Sequence, residues 1–164
     1  GAKLKGATTI IVVDTVPTRL ETARRLGADH VIDFNAEDPV EAIMRLTNGR
    51  GVDVAIEALG TQGTFAACLR SIRPGGTLAS LGVYSSDLTI PLGAFTAGLG
   101  NHTIVTTLCP GGKERMRRLM SVISSGRADL RPLVTHQFKL EEIELAYDLF
   151  AHQRDGVLKV AITP

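Results

Sequence analysis

Apolar and polar positions in the first part of the chain follow a strand–helix–strand pattern. Residues 10–13 are four consecutive β-branched residues, a run typical of a strand buried on both faces. Pro17 suits the first turn of a helix. Apolar residues then recur at helical spacing up to Gly27, which suits the C-terminal end of that helix. A second strand is predicted over residues 30–32.

The same alternation continues through the next two strands. The predicted strand centres near Val12, Val31, Val54 and Ser80 are about evenly spaced, and a helical pattern fills each interval. Strands that alternate with helices in this way form parallel sheets with right-handed crossovers. The last of these strands is predicted over residues 77–83. The predicted fold class is therefore α/β, a doubly wound parallel sheet of the Rossmann-like kind.

The alternation ends after Tyr84. One more strand is predicted over residues 102–108, and Pro110-Gly111-Gly112 then breaks the chain. Beyond it the pattern predicts a helix, a strand, a helix and a strand over residues 113–124, 135–138, 140–150 and 157–162. The apolar residues of the first of these helices are expected to face inward: Met116, Leu119, Met120 and Ile123. We expect residues 1–110 to form the sheet domain and residues 111–164 to belong to a second domain.

Composition narrows the possible partners. The chain has 164 residues, of which 44% are apolar, 21% charged and 4% aromatic, with a net charge of +1. These values are typical of a soluble globular protein and favour neither a nucleic-acid nor a membrane surface. No apolar run reaches the roughly 18 residues that span a bilayer, and no signal-peptide pattern is visible. Cys68 and Cys109 are far apart and are expected to be reduced thiols, so the expected location is the cytoplasm.

Asp14 is the first candidate for chemistry, because it ends the first predicted strand. In open parallel sheets, ligands bind beyond the carboxyl ends of the strands. In dinucleotide-binding sheets an acidic residue ending strand two accepts hydrogen bonds from the adenosine ribose. The alternative is an aspartate that only caps the turn after it. By itself, the sequence favours neither interpretation.

The glycine-rich fingerprint of such sheets is not found. It stands about 20 residues before the ribose-binding acid, which places it before Gly1. Gly98-Leu99-Gly100 lacks the third glycine and a preceding strand, so it is a poor substitute. We therefore expect a sheet without its first strand. The strands centred on Val12 and Val54 would then either pair with each other or recruit another chain.

Five stretches resemble one family, in its order and over nearly the whole chain. They are RRLGADHVID, LTNGRGVDVAIEALG, IRPGGTLASLGV, LCPGG and LVTHQFKLEEIELAYDLF. Together they resemble the medium-chain dehydrogenases, and within them the zinc-dependent alcohol dehydrogenases. The resemblance implies that residues 1–110 are an N-terminally truncated dinucleotide-binding domain and that residues 111–164 belong to the catalytic domain.

The resemblance also implies roles for individual residues. Asp14 matches the ribose-binding acid, Arg19 a basic residue that helps to hold the same ribose, and Lys159 a basic residue facing the pyrophosphate. Three further groups match positions near the cofactor. They are an apolar pair, Ala58 and Leu59; the wall behind the nicotinamide, Leu81, Gly82 and Val83; and the segment whose backbone contacts the carboxamide, Thr107 and Leu108. Purely structural roles remain possible for some of these residues. Leu81 and Val83 would also suit a protein core. Arg19 would also suit the solvated face of a helix, and Lys159 would suit an edge strand, where its charge discourages aggregation.

The implied cofactor is NAD. A carboxylate accepts hydrogen bonds from a free 2′-hydroxyl but repels a 2′-phosphate, so Asp14 disfavours NADP. The resemblance further implies a catalytic zinc whose ligands come from the preceding domain, and a small-molecule alcohol or carbonyl substrate. It also implies a homodimer or homotetramer, paired through the strand ending near residue 108. The chain alone is expected to be inactive.

Three other functions fit parts of the pattern. A zinc-independent medium-chain reductase acting on quinones or enoyl thioesters would have the same sheet. A non-catalytic nucleotide-binding module would need no metal. A methyltransferase-like sheet also ends strand two with a ribose-binding acid, but the stretch LVTHQFKLEEIELAYDLF favours the dehydrogenases.

Overall fold

The computed structural model describes residues 1–107 and 110–164. Helices alternate with strands from the first strand to the fourth, and every strand pair is parallel, which confirms the α/β prediction. The strands are β1 Ile11–Asp14, β2 His30–Asp33, β3 Val52–Glu57, β4 Ile72–Ser80, β5 Thr103–Thr106, β6 Val134–Lys139 and β7 Lys159–Thr163. The α-helices are α1 Pro17–Arg25, α2 Pro39–Leu46, α3 Gln62–Ser71, α4 Lys113–Ser124 and α5 Ile143–Ala151.

Helix ends follow the local signals of the sequence. Pro17 is the first residue of α1, and Gly27 lies just beyond its end with φ of +100°, a conformation that glycine adopts without strain. At the start of α2 the Asp38 side chain accepts hydrogen bonds from the backbone N–H groups of Val40 and Glu41. Residues close in sequence therefore determine where α1 begins and ends and where α2 begins.

The structure corrects the bounds of β4. The strand begins at Ile72 and ends at Ser80, whereas the sequence predicts residues 77–83. Val52 pairs with Ile72 but Val54 pairs with Thr77, so the Arg-Pro-Gly-Gly stretch of residues 73–76 forms a bulge within the strand. As a result, residues 81–83 follow the strand and form part of a loop.

The described residues divide into two compact units. The first contains Gly1–Asp33 and Gly112–Pro164. In it β1 pairs with β2, and Asp14 lies opposite Asp33 in the register. A second pair joins β6 to β7. The buried apolar residues of this unit are Leu20, Ile32, Ala146 and Val157.

The second unit is Phe34–Gly111. Its sheet has the order β3-β4-β5, with α3 packed against it. The core of this unit contains Phe65, Leu69, Ile72, Leu78 and Ala94. The two units do not test the predicted division at residue 110, which stays a prediction.

One expectation about packing stays a prediction and another is wrong. In the described part of the chain β1 pairs only with β2 and β3 only with β4. The strands centred on Val12 and Val54 are thus not paired with each other there, and the alternative, recruitment of another chain, stays a prediction. The apolar residues of α4 do not face inward: Met116 is 60% exposed and Ile123 38%, and α4 has no buried residue. No described element of the unit covers that face. None of the described helices has the length and apolar character needed to cross a membrane.

Candidate cofactor-binding site

Asp14 and Arg19 lie together at the carboxyl end of β1. The Asp14 Oδ1 atom accepts hydrogen bonds from the backbone N–H groups of Thr15 at 2.7 Å and Val16 at 3.0 Å. The other oxygen, Oδ2, lies 4.0 Å from the Arg19 guanidinium, and both side chains are about one-third exposed. One oxygen therefore caps the turn before α1, while the other faces a cation at the edge where ligands bind in such sheets.

This geometry reconciles the two interpretations of Asp14. Val16 precedes α1 and offers no side-chain cap, so Asp14 Oδ1 supplies an acceptor near that helix end. The capping role uses only one oxygen. A carboxylate has capacity for about four hydrogen bonds, so the second oxygen retains acceptor sites for a ribose hydroxyl.

In the second unit, two loops follow neighbouring strands. We call residues 58–60 the β3 loop and residues 81–84 the β4 loop. Ala58 and Leu59 of the β3 loop are exposed, Leu59 by 70%. Leu81 is 47% exposed and Val83 83%, which argues against their alternative role as core residues. The predicted wall residues thus lie at the carboxyl ends of parallel strands.

The sequence analysis missed Glu57, the last residue of β3. Its side chain is 1% exposed, yet the Oε1 atom accepts three hydrogen bonds, from Leu59 N at 2.9 Å, Gly60 N at 2.8 Å and Thr64 Oγ1 at 2.7 Å. Its Oε2 atom accepts a hydrogen bond from the Tyr84 hydroxyl at 2.7 Å. A glutamate at the end of an apolar strand, with a glycine three residues later, was the available signal.

The negative charge of Glu57 is stabilised by hydrogen bonds from uncharged donors. No Lys, Arg or His among the described residues forms an ion pair with it. Burial alone would raise the pKa of its carboxyl group, but the hydrogen bonds from Tyr84, Gly60, Thr64 and Leu59 outweigh burial and lower this pKa. Burial also raises the pKa of Tyr84, and so does its bond to the carboxylate. The carboxylate is therefore ionised at neutral pH.

Glycines let the two loops touch. A Cβ atom on Gly60, whose φ is +90°, would overlap the backbone of Val83. A Cβ atom on Gly82 would overlap the Glu57 carboxylate and the backbone of Gly60. Both positions therefore require glycine, for the space in each case and for the conformation at Gly60.

The remaining predicted site residues are distributed over both units. Thr107 directly follows β5, and its N–H donates to the Ser80 carbonyl at 3.3 Å. Lys159 is exposed at the start of β7, in the unit that also holds Asp14. Leu108 lies outside the described residues, as does Cys109.

A zinc site in a protein needs several ligating side chains close together. Among the described residues, no group of three or more His, Cys, Asp and Glu side chains is placed to hold a metal ion. The described residues therefore do not provide the ligand set that the resemblance assigns to zinc in the full-length enzyme.

Comparison with known proteins identifies the family. The profile of the zinc-binding dehydrogenases matches residues 1–125. The chain belongs to this family. The chain is 67% identical over 164 residues to an alcohol dehydrogenase from Cupriavidus necator, covering 100% of the chain and 45% of that protein. It is 36% identical over 166 residues to an NADP-dependent isopropanol dehydrogenase from Thermoanaerobacter brockii, covering 99% of the chain and 47% of that protein.

A solved relative supports the fold of the chain. The alcohol dehydrogenase TADH from Thermus sp. ATN1 superposes with a TM-score of 0.85 at 30% identity, covering 99% of the chain and 46% of that structure. The resemblance and the Rossmann-like fold class are thus confirmed. The chain spans about half the length of the curated relatives it matches.

Proposed function

We propose that the chain is the NAD-binding part of a zinc-dependent alcohol dehydrogenase that interconverts small alcohols and carbonyl compounds. The observation that carries the proposal is Asp14 at the carboxyl end of β1, with one carboxylate oxygen 4.0 Å from Arg19. The kinship with an alcohol dehydrogenase from Cupriavidus necator supports the reaction type. The whole protein is proposed to act in the cytoplasm.

The residues of the chain would divide the work of holding the cofactor. When bound, NAD supplies a nicotinamide ring that exchanges a hydride with the substrate carbon. Asp14 and Arg19 would bind the adenosine ribose, and Lys159 the pyrophosphate. Ala58, Leu59 and the residues of the β4 loop would offer an apolar surface to the ring. Such a surface excludes water and fixes the ring orientation, which lowers the entropic part of the barrier.

Preference for NAD over NADP rests on charge. The Asp14 carboxylate would accept a hydrogen bond from a ribose 2′-hydroxyl and repel a 2′-phosphate. Arg19 is 4.0 Å from that carboxylate and is the nearest described cation to it, so the negative charge of Asp14 is partly compensated. The isopropanol dehydrogenase from Thermoanaerobacter brockii is named as NADP-dependent, so the preference of this chain needs a direct test.

Self-association is proposed through β5. Its residues are all exposed, including Ile104 at 37% and Val105 at 46%. In the described part of the chain β5 pairs only with β4, so its other edge offers unpaired backbone groups. A homodimer or homotetramer would cover this edge.

The test uses the protein encoded by the complete reading frame that contains these residues. Binding is followed by the fluorescence of NADH itself, in parallel with NADPH. Oxidation of a series of small primary and secondary alcohols is then assayed with NAD and NADP, with and without a zinc chelator. Oligomeric state is measured by sedimentation. Tighter binding of NADH, and chelator-sensitive oxidation with NAD, are the expected results.

Other outcomes would replace the proposal. Chelator-insensitive reduction of quinones or enoyl thioesters would indicate the zinc-independent reductase. NADH binding without turnover of any of these substrates would indicate a nucleotide-binding module. Absence of NADH binding would overturn the dinucleotide function itself.

A further inference from the structure

Glu57 lies where the β3 loop meets the β4 loop. Its Oε1 atom binds the backbone N–H groups of Leu59 and Gly60, and its Oε2 atom binds the Tyr84 hydroxyl. Tyr84 is 27 residues further along the chain, and its hydroxyl also lies 2.8 Å from Ser80 Oγ. One buried carboxylate therefore connects the ends of two neighbouring strands.

The contact leaves the two loops little freedom. The Gly82 backbone approaches Glu57 and Gly60 so closely that no Cβ atom fits, and Gly60 approaches Val83 in the same way. A buried charge is tolerated only where hydrogen bonds replace its lost hydration. Moving the β3 loop would remove the N–H donors of Leu59 and Gly60, and moving the β4 loop would remove the Tyr84 hydroxyl, so the network favours one arrangement of both loops.

We propose that Glu57 is a positioning residue, whose carboxylate sets the β3 loop against the β4 loop and thereby fixes the surface that meets the nicotinamide ring. This inference rests on the proposed function, in which Leu59 and Val83 lie near that ring. Glu57 itself is buried and would touch neither cofactor nor substrate. Its effect would therefore reach the nicotinamide half of the cofactor and not the adenosine half.

An amide in place of the carboxylate separates shape from charge. In Glu57→Gln, the amide oxygen still has room to accept from Leu59, Gly60 and Thr64. The amide NH₂ group can only donate, so the Tyr84 hydroxyl would have to accept from it and turn its own proton toward Ser80 Oγ, and the strong hydrogen bond to a charged carboxylate is lost. Tyr84→Phe removes the same hydrogen bond from the other side and keeps the ring that packs edge-on against Phe65. Glu41→Gln, an exposed change of the same chemistry in the same unit, is the control.

The experiment measures dissociation constants for NADH and for ADP-ribose, which lacks the nicotinamide ring, on the full-length protein and its three variants. The turnover number and the primary deuterium isotope effect with a deuterated alcohol are measured in parallel. For Glu57→Gln and Tyr84→Phe we expect NADH affinity and turnover to fall by about tenfold. The isotope effect should rise, while ADP-ribose affinity stays within about twofold of the original. Glu41→Gln should leave all four values unchanged.

The outcomes separate this inference from the proposed function. If the unaltered protein binds NADH but both variants keep its affinity and turnover, or lose NADH and ADP-ribose affinity equally, the positioning role is overturned alone. If the unaltered protein binds no NADH, the proposed function fails and this inference fails with it. Should Glu57→Gln not fold, Tyr84→Phe alone decides by the same criteria.

Discussion

The Tyr84 hydroxyl donates a 2.7 Å hydrogen bond to the buried carboxylate of Glu57 and lies 2.8 Å from Ser80 Oγ. Ser80 is 2% exposed and Glu57 1%, so neither side chain can replace its hydrogen bond with Tyr84 by one to water. Hydrogen bonds to charged groups are stronger than those between neutral groups, and a buried group left without a partner is costly. This relationship makes Tyr84 more important for stability than its half-buried position suggests.

Tyr84→Phe is expected to lower the free energy of unfolding by about 1.5–3 kcal/mol, the cost of a hydrogen bond to a charged group. The chain offers a matched control, since its other tyrosine, Tyr147, is 71% exposed on α5. Tyr147→Phe should change stability by less than about 0.5 kcal/mol. Urea unfolding curves of the three proteins measure both values. Equal effects of the two changes would contradict the role of the Tyr84 bond.

Glu57 should make stability depend on pH in acid. Its pKa is lowered in the folded state, so its stabilisation is present above the ordinary glutamate pKa, about 4.3, and is lost as pH falls through the lower folded value. Tyr84 and Cys68, the other titratable groups near it, have raised pKa values and do not titrate in acid. Glu57→Gln removes this titration.

The loss of unfolding free energy between about pH 6 and pH 3 should therefore be smaller in Glu57→Gln than in the unaltered protein. Denaturant unfolding at a series of pH values measures the difference. Parallel pH profiles for the two proteins would show that folding does not lower the pKa of Glu57.

Asp14→Asn should relax cofactor choice without harming the fold. The amide oxygen still accepts from Thr15 and Val16, but the negative charge is gone, so the ratio of kcat/KM for NAD over NADP should fall by about tenfold. Asp14→Gly together with Val16→Arg should shift the ratio further toward NADP. This double variant should also lose about 1 kcal/mol of stability, because the Asp14 side chain no longer accepts hydrogen bonds from Thr15 and Val16.

Asp29 supplies the control for this prediction. Its carboxylate accepts a hydrogen bond from the Ile10 backbone N–H at 2.7 Å, in the same unit as Asp14 but before β2. Asp29→Asn makes the same chemical change away from the carboxyl end of the strands. It should leave the kcat/KM ratio unaltered, and a change as large as that of Asp14→Asn would remove the ribose role from Asp14.

Gly82→Ala should be strongly destabilising. Its Cβ atom would overlap the Glu57 carboxylate and the Gly60 backbone, so the β4 loop would have to move, at a cost of about 1–3 kcal/mol or more. Gly63→Ala is the comparison, because its Cβ atom would meet only Thr61 Oγ1 at 4.0 Å and would lie in α3, where alanine is favoured. Thermal unfolding should show a lower midpoint for Gly82→Ala and an equal or higher one for Gly63→Ala.

Cys68 should react slowly with thiol reagents in the folded protein. Burial raises the pKa of its thiol to about 11, with a further contribution from the Glu57 charge, so the reactive thiolate is scarce at pH 8. Peptide-resolved alkylation with iodoacetamide should label Cys68 far faster in denaturant than in buffer. Labelling at equal rates in both would contradict the burial of this side chain.

Local features were the most predictable from sequence. Pro17 and Gly27 predicted the ends of α1, because capping and φ preferences act within a few residues. The main local error is β4, predicted over residues 77–83 and found over Ile72–Ser80. Residues 73–76 form a bulge within this strand, which has a paired strand on each side.

The sequence by itself determined the α/β class, the family and the position of Asp14 at a strand end, since periodicity and motif order are properties of the chain alone. Only the tertiary structure decided that Glu57 and Tyr84, separated by 27 residues, share a hydrogen bond. It also decided that Val83 is exposed and that the apolar face of α4 is uncovered. The physical reason is that burial and hydrogen-bond partners depend on which segments, distant in sequence, pack together. An amphipathic pattern indicates that one face of a helix can be buried, but it does not specify which segment covers that face.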